Sequence, residues 1–263
     1  MDKAGQDYWN NNWDTVPHAI FEPQQTRTRY YRDRMLAQLL ARTLAGLPPE
    51  RSTVLEVGCA DSTILPYIGR EFGYRIAGLD YSPNGCERFR RHLERANLTA
   101  HVECGDVFAP PPAMLGAYEA VVSFGLAEHF TDTASIASAL GAFLRPGGRI
   151  LTFVPNMQGL VGFVQWLAGP KIRAVHEALS PEALATAHRA AGLKVIEADY
   201  MLPMGFGVVN YYQPAPRALF MARRLMIAAL ARLSLASWRI DETLVRLPKS
   251  ALLSPFSYVI AER

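Results

Sequence analysis

Between Ser52 and Pro155 short apolar runs alternate with amphipathic stretches, and nothing else in the chain so restricts what it can fold into. "TVLEVG", "YRIAGLD", "TAHVECGD", "YEAVVSFG" and "RILTFVP" read as five strands. "STILPYIGREFG", "SPNGCERFRRHLERANL" and "DTASIASALGAFLRPGG" read as the helices between them, the last running into a Gly-Gly turn. Ser82 stands where an N-cap is needed and Pro83 fits the first helical turn. Strands and helices alternating at this spacing predict an α/β fold, a parallel sheet with helices on both faces. Right-handed crossovers then fix most of its topology.

Beyond Pro155 the alternation loosens. "SPEALATAHRAAG" is a helix with Ser180 as cap, Pro181 next and Gly192 at its end, "LKVIEADYM" a sixth strand, and "SPFSYVIAER" a last one. The expected organisation is one domain over 1–263. Residues 1–48 form an N-terminal helical arm, 52–202 the core, 203–250 a helical insertion, and 251–263 the last strand. A chain of 263 residues, 50% hydrophobic and 19% charged, can bury one sizeable core.

The net charge of +3 is too small to suggest a nucleic-acid partner. It is unevenly spread: from Pro203 onward eight basic residues face three acidic ones, which leaves the rest at −2. Cys59, Cys86 and Cys104 have no metal-ligand spacing, and an odd count does not suit a disulfide framework. The first residues, "MDKAGQDYWNNNWD", lack the apolar stretch of a signal peptide. No apolar run reaches the roughly 20 residues of a membrane span. A reduced, cytoplasmic location is the expectation.

In an open parallel sheet, ligands bind beyond the carboxyl ends of the strands. Glu56–Ser62 is the first such end, and Gly58 lets backbone approach a ligand closely. Asp80 closes the second strand, where a carboxylate can accept both hydroxyls of a ribose. Asp106 follows the third strand and can accept from an exocyclic amine. The dinucleotide fingerprint G-x-G-x-x-G is absent, since the turn reads Gly58-Cys59-Ala60-Asp61-Ser62-Thr63, with no second glycine to open it to a pyrophosphate.

Taken in order, "VLEVGCADS", "GLDYSP", "GDVF", "VVSFGLAEHF" and "LRPGGRILTFVPN" resemble the motifs of class I S-adenosylmethionine-dependent methyltransferases. The likeness is greatest to the small-molecule branch that includes the ubiquinone-biosynthesis O-methyltransferases, in which "PN", an apolar segment, a histidine and a "SPEEL"-like helix also follow the fifth strand. It implies a Rossmann-like, doubly wound, mostly parallel seven-stranded sheet with an antiparallel last strand, and S-adenosyl-L-methionine as cofactor. Glu56 and Gly58 would hold its methionyl end, near the backbone of Cys59 and Ala60. Asp80 would take the ribose hydroxyls, Tyr81 would flank the adenine, Asp106 and Val107 would bind its edge, and Phe124 would cover the cofactor. Arg27 in the arm would reach the methionyl carboxylate, while the arm's Tyr8, Trp9 and Trp13 would lie nearby. Ala60 and Ser62 depart from the family, which favours glycine there.

At the reacting end His129 is the first candidate for base or substrate positioner, with Glu128 beside it and His176 second. His18, His92, His101 and His188 read as solvent-facing or incidental. In the ubiquinone branch a Glu-His pair of this kind helps bind a divalent metal, but no companion ligand is evident and no metal site is expected. The insertion "PRALFMARRLMIAALARLSLASWRI" places Arg217, Arg224 and Arg232 on one face, with Leu219, Met226, Leu230 and Leu233 nearer the other. It reads as a substrate lid, a dimer contact or structural helix, or a peripheral membrane contact through 217–239. A small, apolar or aromatic acceptor methylated on oxygen is expected, in a monomer or homodimer. A non-methylating enzyme, such as a cyclase, or a non-catalytic cofactor-binding module are the alternatives.

Overall fold

The computed structural model describes residues 2–12, 21–210 and 216–263. Trp13, His18 and the tyrosine pair Tyr211–Tyr212 lie outside them. Seven strands form one sheet: β1 (Thr53–Val57), β2 (Arg75–Asp80), β3 (Ala100–Cys104), β4 (Tyr118–Phe124), β5 (Leu144–Pro155), β6 (Lys194–Met201) and β7 (Phe256–Glu262). Their order is β3-β2-β1-β4-β5-β7-β6. β7 alone is antiparallel, to both β5 and β6. The chain builds outward from β1 to β3, then returns to lay β4 against β1 on the other side. That reversal opens a crevice at the carboxyl ends of β1 and β4. β5 starts earlier than expected, at Leu144, because Leu144 pairs with Tyr118 before a register shift; Gly147, with φ of +76°, sits inside that irregularity.

Nine helices lie among the described residues: α1 (Gln6–Asn12), α2 (Tyr31–Leu44), α3 (Ile64–Phe72), α4 (Pro83–Arg95), α5 (Thr133–Ala142), α6 (Leu160–Ala168), α7 (Pro170–Ala174), α8 (Pro181–Ala190) and α9 (Arg217–Thr243). The two-residue period of the strands sorts side chains to opposite faces. Val54 joins Leu39 of α2, Ile68 of α3 and Phe89 of α4 on one face. Leu55 and Val57 join Ile136 and Leu140 of α5 and Leu184 of α8 on the other. Leu140 and Phe89 are fully buried, and truncating either to alanine would cost about 3–5 kcal/mol.

The expected caps form. Ser82 Oγ accepts from Gly85 N at 3.1 Å and Ser180 Oγ from Ala183 N at 3.1 Å. His188, read as solvent-facing or incidental, is buried in α8, bonded to Thr152 Oγ1 at 2.9 Å and donating from Nδ1 to the Leu184 carbonyl. The face of α8 that carries it packs on the sheet, and an inward hydroxyl on β5 partners the imidazole.

α9 corrects the expected facing of the insertion. Its buried residues are Ile227, Ser234, Trp238 and Asp241, while Leu219 and Leu233 are exposed with the arginines. Met226 and Leu230 do pack inward, against Val161 and Val164 of α6. Two polar groups in the buried stripe explain the shift. Ser234 Oγ accepts from Phe206 N at 3.1 Å, and Asp241 accepts from the Tyr31 hydroxyl and from Leu247 N.

Candidate functional site

A cavity of about 660 Å³ fills the crevice at the ends of β1 and β4. Its floor is the turn after β1. Gly58, with φ of +82°, starts the turn, and its N–H donates to the Leu79 carbonyl at 2.8 Å. Cys59 turns away from the cavity into the core beneath β2, where a Cβ on Gly78 would come within 2.5 Å of its sulfur. Asp61 takes a left-handed φ of +57° and pairs with Arg88 of α4 at 2.9 Å. Ser62 Oγ caps α3 by accepting from Leu65 N at 3.1 Å, and it donates to Glu56 Oε2 at 2.7 Å. The serine found where glycine is common therefore both starts the helix and orients the acid.

Asp80 sits at the carboxyl end of β2 with both oxygens engaged by backbone: Ala60 N donates to Oδ2 at 3.1 Å and Ser82 N to Oδ1 at 2.8 Å. Each oxygen keeps a second lone pair for an incoming hydroxyl. Burial pushes the Asp80 carboxyl up to about 6, against those backbone donors. Burial pushes Glu56 up to about 8, opposed by the Ser62 bond and reinforced by Asp80. Two desolvated acids in one cavity suit a cationic ligand, whose charge would restore their ionisation. Asp106 is exposed at the rim, its Oδ1 accepting from Phe108 N at 2.9 Å.

Aromatic side chains line the cavity beside the turn after β4, with Asp2 and Asp132 among them. Phe124, Phe108, Phe130 and Trp9 line it with Leu126 and His129. The N-terminal segment is pinned across this end: Asp2 pairs with Phe130, Lys3 N donates to the His129 carbonyl at 2.8 Å, and Tyr81 donates its hydroxyl to Asp2. The Trp9 ring meets His129 edge-on at 4.9 Å.

Behind His129 the structure gathers three ligand-type groups. The Glu128, His129 and His176 side chains each place an atom within 4.8 Å of the others. His129 Nδ1–H donates to the Val175 carbonyl at 2.9 Å, and His176 Nδ1–H to the Ile172 carbonyl at 2.7 Å. Both rings are thereby fixed with Nε2 unprotonated in the neutral form. Burial lowers both histidines, His129 to about 4 with His176 adding to the effect. Glu128 is buried and pushed up to about 8, and its Oε2 has no hydrogen-bond partner among the described residues.

Of the residues expected from sequence, Glu56, Gly58, Ala60, Asp80, Tyr81, Asp106, Val107, Phe124 and His129 line the cavity. Glu128 and His176 stand behind His129, and Cys59 only underlies the turn. Arg27 does not join them among the described residues: it is exposed, beside the short turn Thr28–Tyr30, and its carbonyl accepts from Arg34 at 3.2 Å. The turn carries the chain toward α9, where Arg34 pairs with Glu242, and so away from the cavity. The described residues of 203–250 contribute none of the cavity lining. Asp2, Ser62, Phe108 and Phe130 were missed. Phe108 follows Asp106 closely enough for the same motif to have found it, whereas nothing local marks Asp2.

A family described as a methyltransferase domain matches residues 28–198. A ubiquinone biosynthesis O-methyltransferase from Methylocella silvestris is 27% identical over 211 residues, covering 75% of this chain and 80% of that protein. Among solved structures, geranyl diphosphate C-methyltransferase from Streptomyces coelicolor A3(2) aligns with a TM-score of 0.60 at 16% identity, over 98% of this chain and 95% of that one. The [4+2]-cyclase SpnF aligns with a TM-score of 0.59, also at 16% identity, over 95% and 87%. At that identity the two structures share the fold. The family match covers well over half the chain and spans every strand end that lines the cavity, so this protein belongs to the methyltransferase-domain family and is a class I S-adenosylmethionine-dependent methyltransferase.

Proposed function

We propose that the protein transfers a methyl group from S-adenosylmethionine to a hydroxyl of a small apolar or aromatic acceptor. The observation that supports this reading is that one cavity holds the buried acids Glu56 and Asp80 together with Phe108, Phe124, Phe130, Trp9 and the His129 imidazole. Asp80 receives the ribose diol and Glu56 the methionyl ammonium. Phe124 and Leu126 cover the sulfonium, and the acceptor lies against Phe108, Phe130 and Trp9. Such a wall excludes water and aligns the reacting atoms, which is most of what an in-line displacement needs.

His129 Nε2 accepts the acceptor's hydroxyl proton as the oxygen bonds to the methyl carbon. The carbon–sulfur bond breaks with its electron pair on sulfur, leaving neutral S-adenosylhomocysteine. Its low pKa keeps His129 in the accepting form at neutral pH. In place of that base role, Glu128, His129 and His176, whose ligand atoms lie within 4.8 Å of one another while each Nδ1 is held by a carbonyl, would hold a divalent cation, with His129 Nε2 then a ligand and not the proton acceptor. A cation there would supply charge that makes an acceptor hydroxyl more acidic.

Incubation with S-adenosylmethionine and separate phenol, amine and thiol panels, read by mass spectrometry, tests the reading. It predicts S-adenosylhomocysteine together with a singly methylated phenol. Methylated amines alone would overturn the oxygen preference. An altered acceptor of unchanged mass would place the protein with the cyclase-type chemistry of its fold neighbour.

A further inference from the structure

We propose that α9 docks the protein on the surface of an anionic lipid bilayer, its axis in the plane of the headgroups. The helix begins beyond the residues that match the family, so this assignment is independent of the reading of the cavity. Its inner side is already satisfied. Ile227 packs with α6, Trp238 donates to the Met204 carbonyl, and Asp241 is held by Tyr31. No further partner is needed to keep it on the molecule.

Its outer side is unlike that of a helix facing water, which carries polar residues there. Leu225 is 66% exposed and Leu233 57%, with Met221 and Ile240 exposed beside them. Alanines at 218, 222, 229 and 236 fill the gaps in the same stripe at three- and four-residue spacing. Along one edge run Arg217, Arg224, Arg232 and Arg239, all exposed and separated by seven, eight and seven residues, so they share a side of the helix. No Asp or Glu occurs from Arg217 through Ile240.

Charge decides which occupant fits. A second copy of the chain meeting this face across a two-fold axis would add a second arginine row to the interface, with no acid on the face to neutralise either row. An anionic bilayer answers both components. Leucine, methionine and isoleucine enter the boundary of the acyl chains, and the guanidinium groups reach the phosphates with their stems along the apolar layer. The helix, about 40 Å long, lies flat: no helix among the described residues is long and apolar enough to cross a membrane.

The test is co-sedimentation of the full chain with vesicles of phosphatidylcholine alone and of phosphatidylcholine with 30% phosphatidylglycerol, at low and high salt. The proposal expects binding at least tenfold tighter to the anionic vesicles, lost on raising salt to about 0.5 M because exposed charges are then screened. Leu225→Glu with Leu233→Glu, and separately Arg224→Glu with Arg232→Glu, should each reduce vesicle binding at least tenfold while S-adenosylhomocysteine affinity stays within twofold. Equal affinity for the two vesicle types, or no sedimentation of the wild type with either, overturns the proposal. So does a wild-type dimer that Leu225→Glu converts to monomer, which would assign the face to a second copy.

Discussion

At the β1–β3 end of the cavity, Glu56, Asp80 and Asp106 come from successive strand ends and are held by bonds within those loops or from the loop next door, as where Ala60 N donates to Asp80. At the other end, Glu128 and His129 come from the turn after β4, His176 from beyond α7, and Trp9 from the N-terminal arm. The first end is built from neighbouring strand-end loops. The second is assembled from distant segments, so it can be rebuilt for a different acceptor without disturbing the first. Two solved neighbours, a C-methyltransferase and a cyclase, share the fold at 16% identity, and a shared fold does not by itself fix the chemistry.

The division can be broken by substitutions that affect one end alone. The largest effect is expected for His129→Ala: turnover should fall about 10²–10⁴-fold, the usual contribution of a positioned base. S-adenosylhomocysteine affinity should stay within about threefold by calorimetry. A comparable loss of cofactor affinity would show that the two ends are one unit. Asp80→Asn should act the opposite way, raising the KM for S-adenosylmethionine about 10–100-fold through lost charge-assisted bonds to the ribose, with kcat within about fivefold.

A smaller effect follows from Glu56. Its folded pKa of about 8 lies above its ordinary value, so in the empty cavity it is mostly protonated at pH 7. A ligand ammonium binds the ionised form. Affinity for S-adenosylhomocysteine should therefore rise by up to about tenfold per unit as pH climbs toward 8, then level off, with proton release visible in buffers of different ionisation enthalpy. Glu56→Gln should flatten that rise. The stability sign follows from the same shift. Over the window between the ordinary carboxylate value and about 8 the folded chain holds protons on Glu56 and Glu128 that the unfolded chain has lost, so the free protein should melt at lower temperature as pH rises through it. The smallest effect is expected for Trp9→Ala, about a fivefold rise in acceptor KM, the size of one aromatic contact, with the cofactor KM unchanged.

The same contrast explains what could be read from sequence. Asp80, Gly58 and Ser82 act at adjacent strand ends, where Gly58 N reaches the Leu79 carbonyl and Ala60 N reaches Asp80, so the strand-helix spacing places them. Arg27 could not be placed, because its position depends on a short turn that heads toward α9 and on the Arg34–Glu242 pair far along the chain. The facing of α9 was equally hidden. A hydrophobic count favours burying its leucines, but the packing buries Ser234 and Asp241, whose partners Phe206 and Tyr31 lie on other elements. His176 was legible as a histidine before a capped helix, yet its approach to His129, with ring centroids 4.6 Å apart, needed the folded chain.

The most direct measurement is calorimetric titration of the purified protein with S-adenosylhomocysteine and, separately, with NAD, on wild type and Asp80→Ala. The account predicts micromolar-range binding of S-adenosylhomocysteine, none of NAD, and at least tenfold weaker binding in the variant. A well-folded wild type that binds NAD, or gives no heat with S-adenosylhomocysteine, would contradict it.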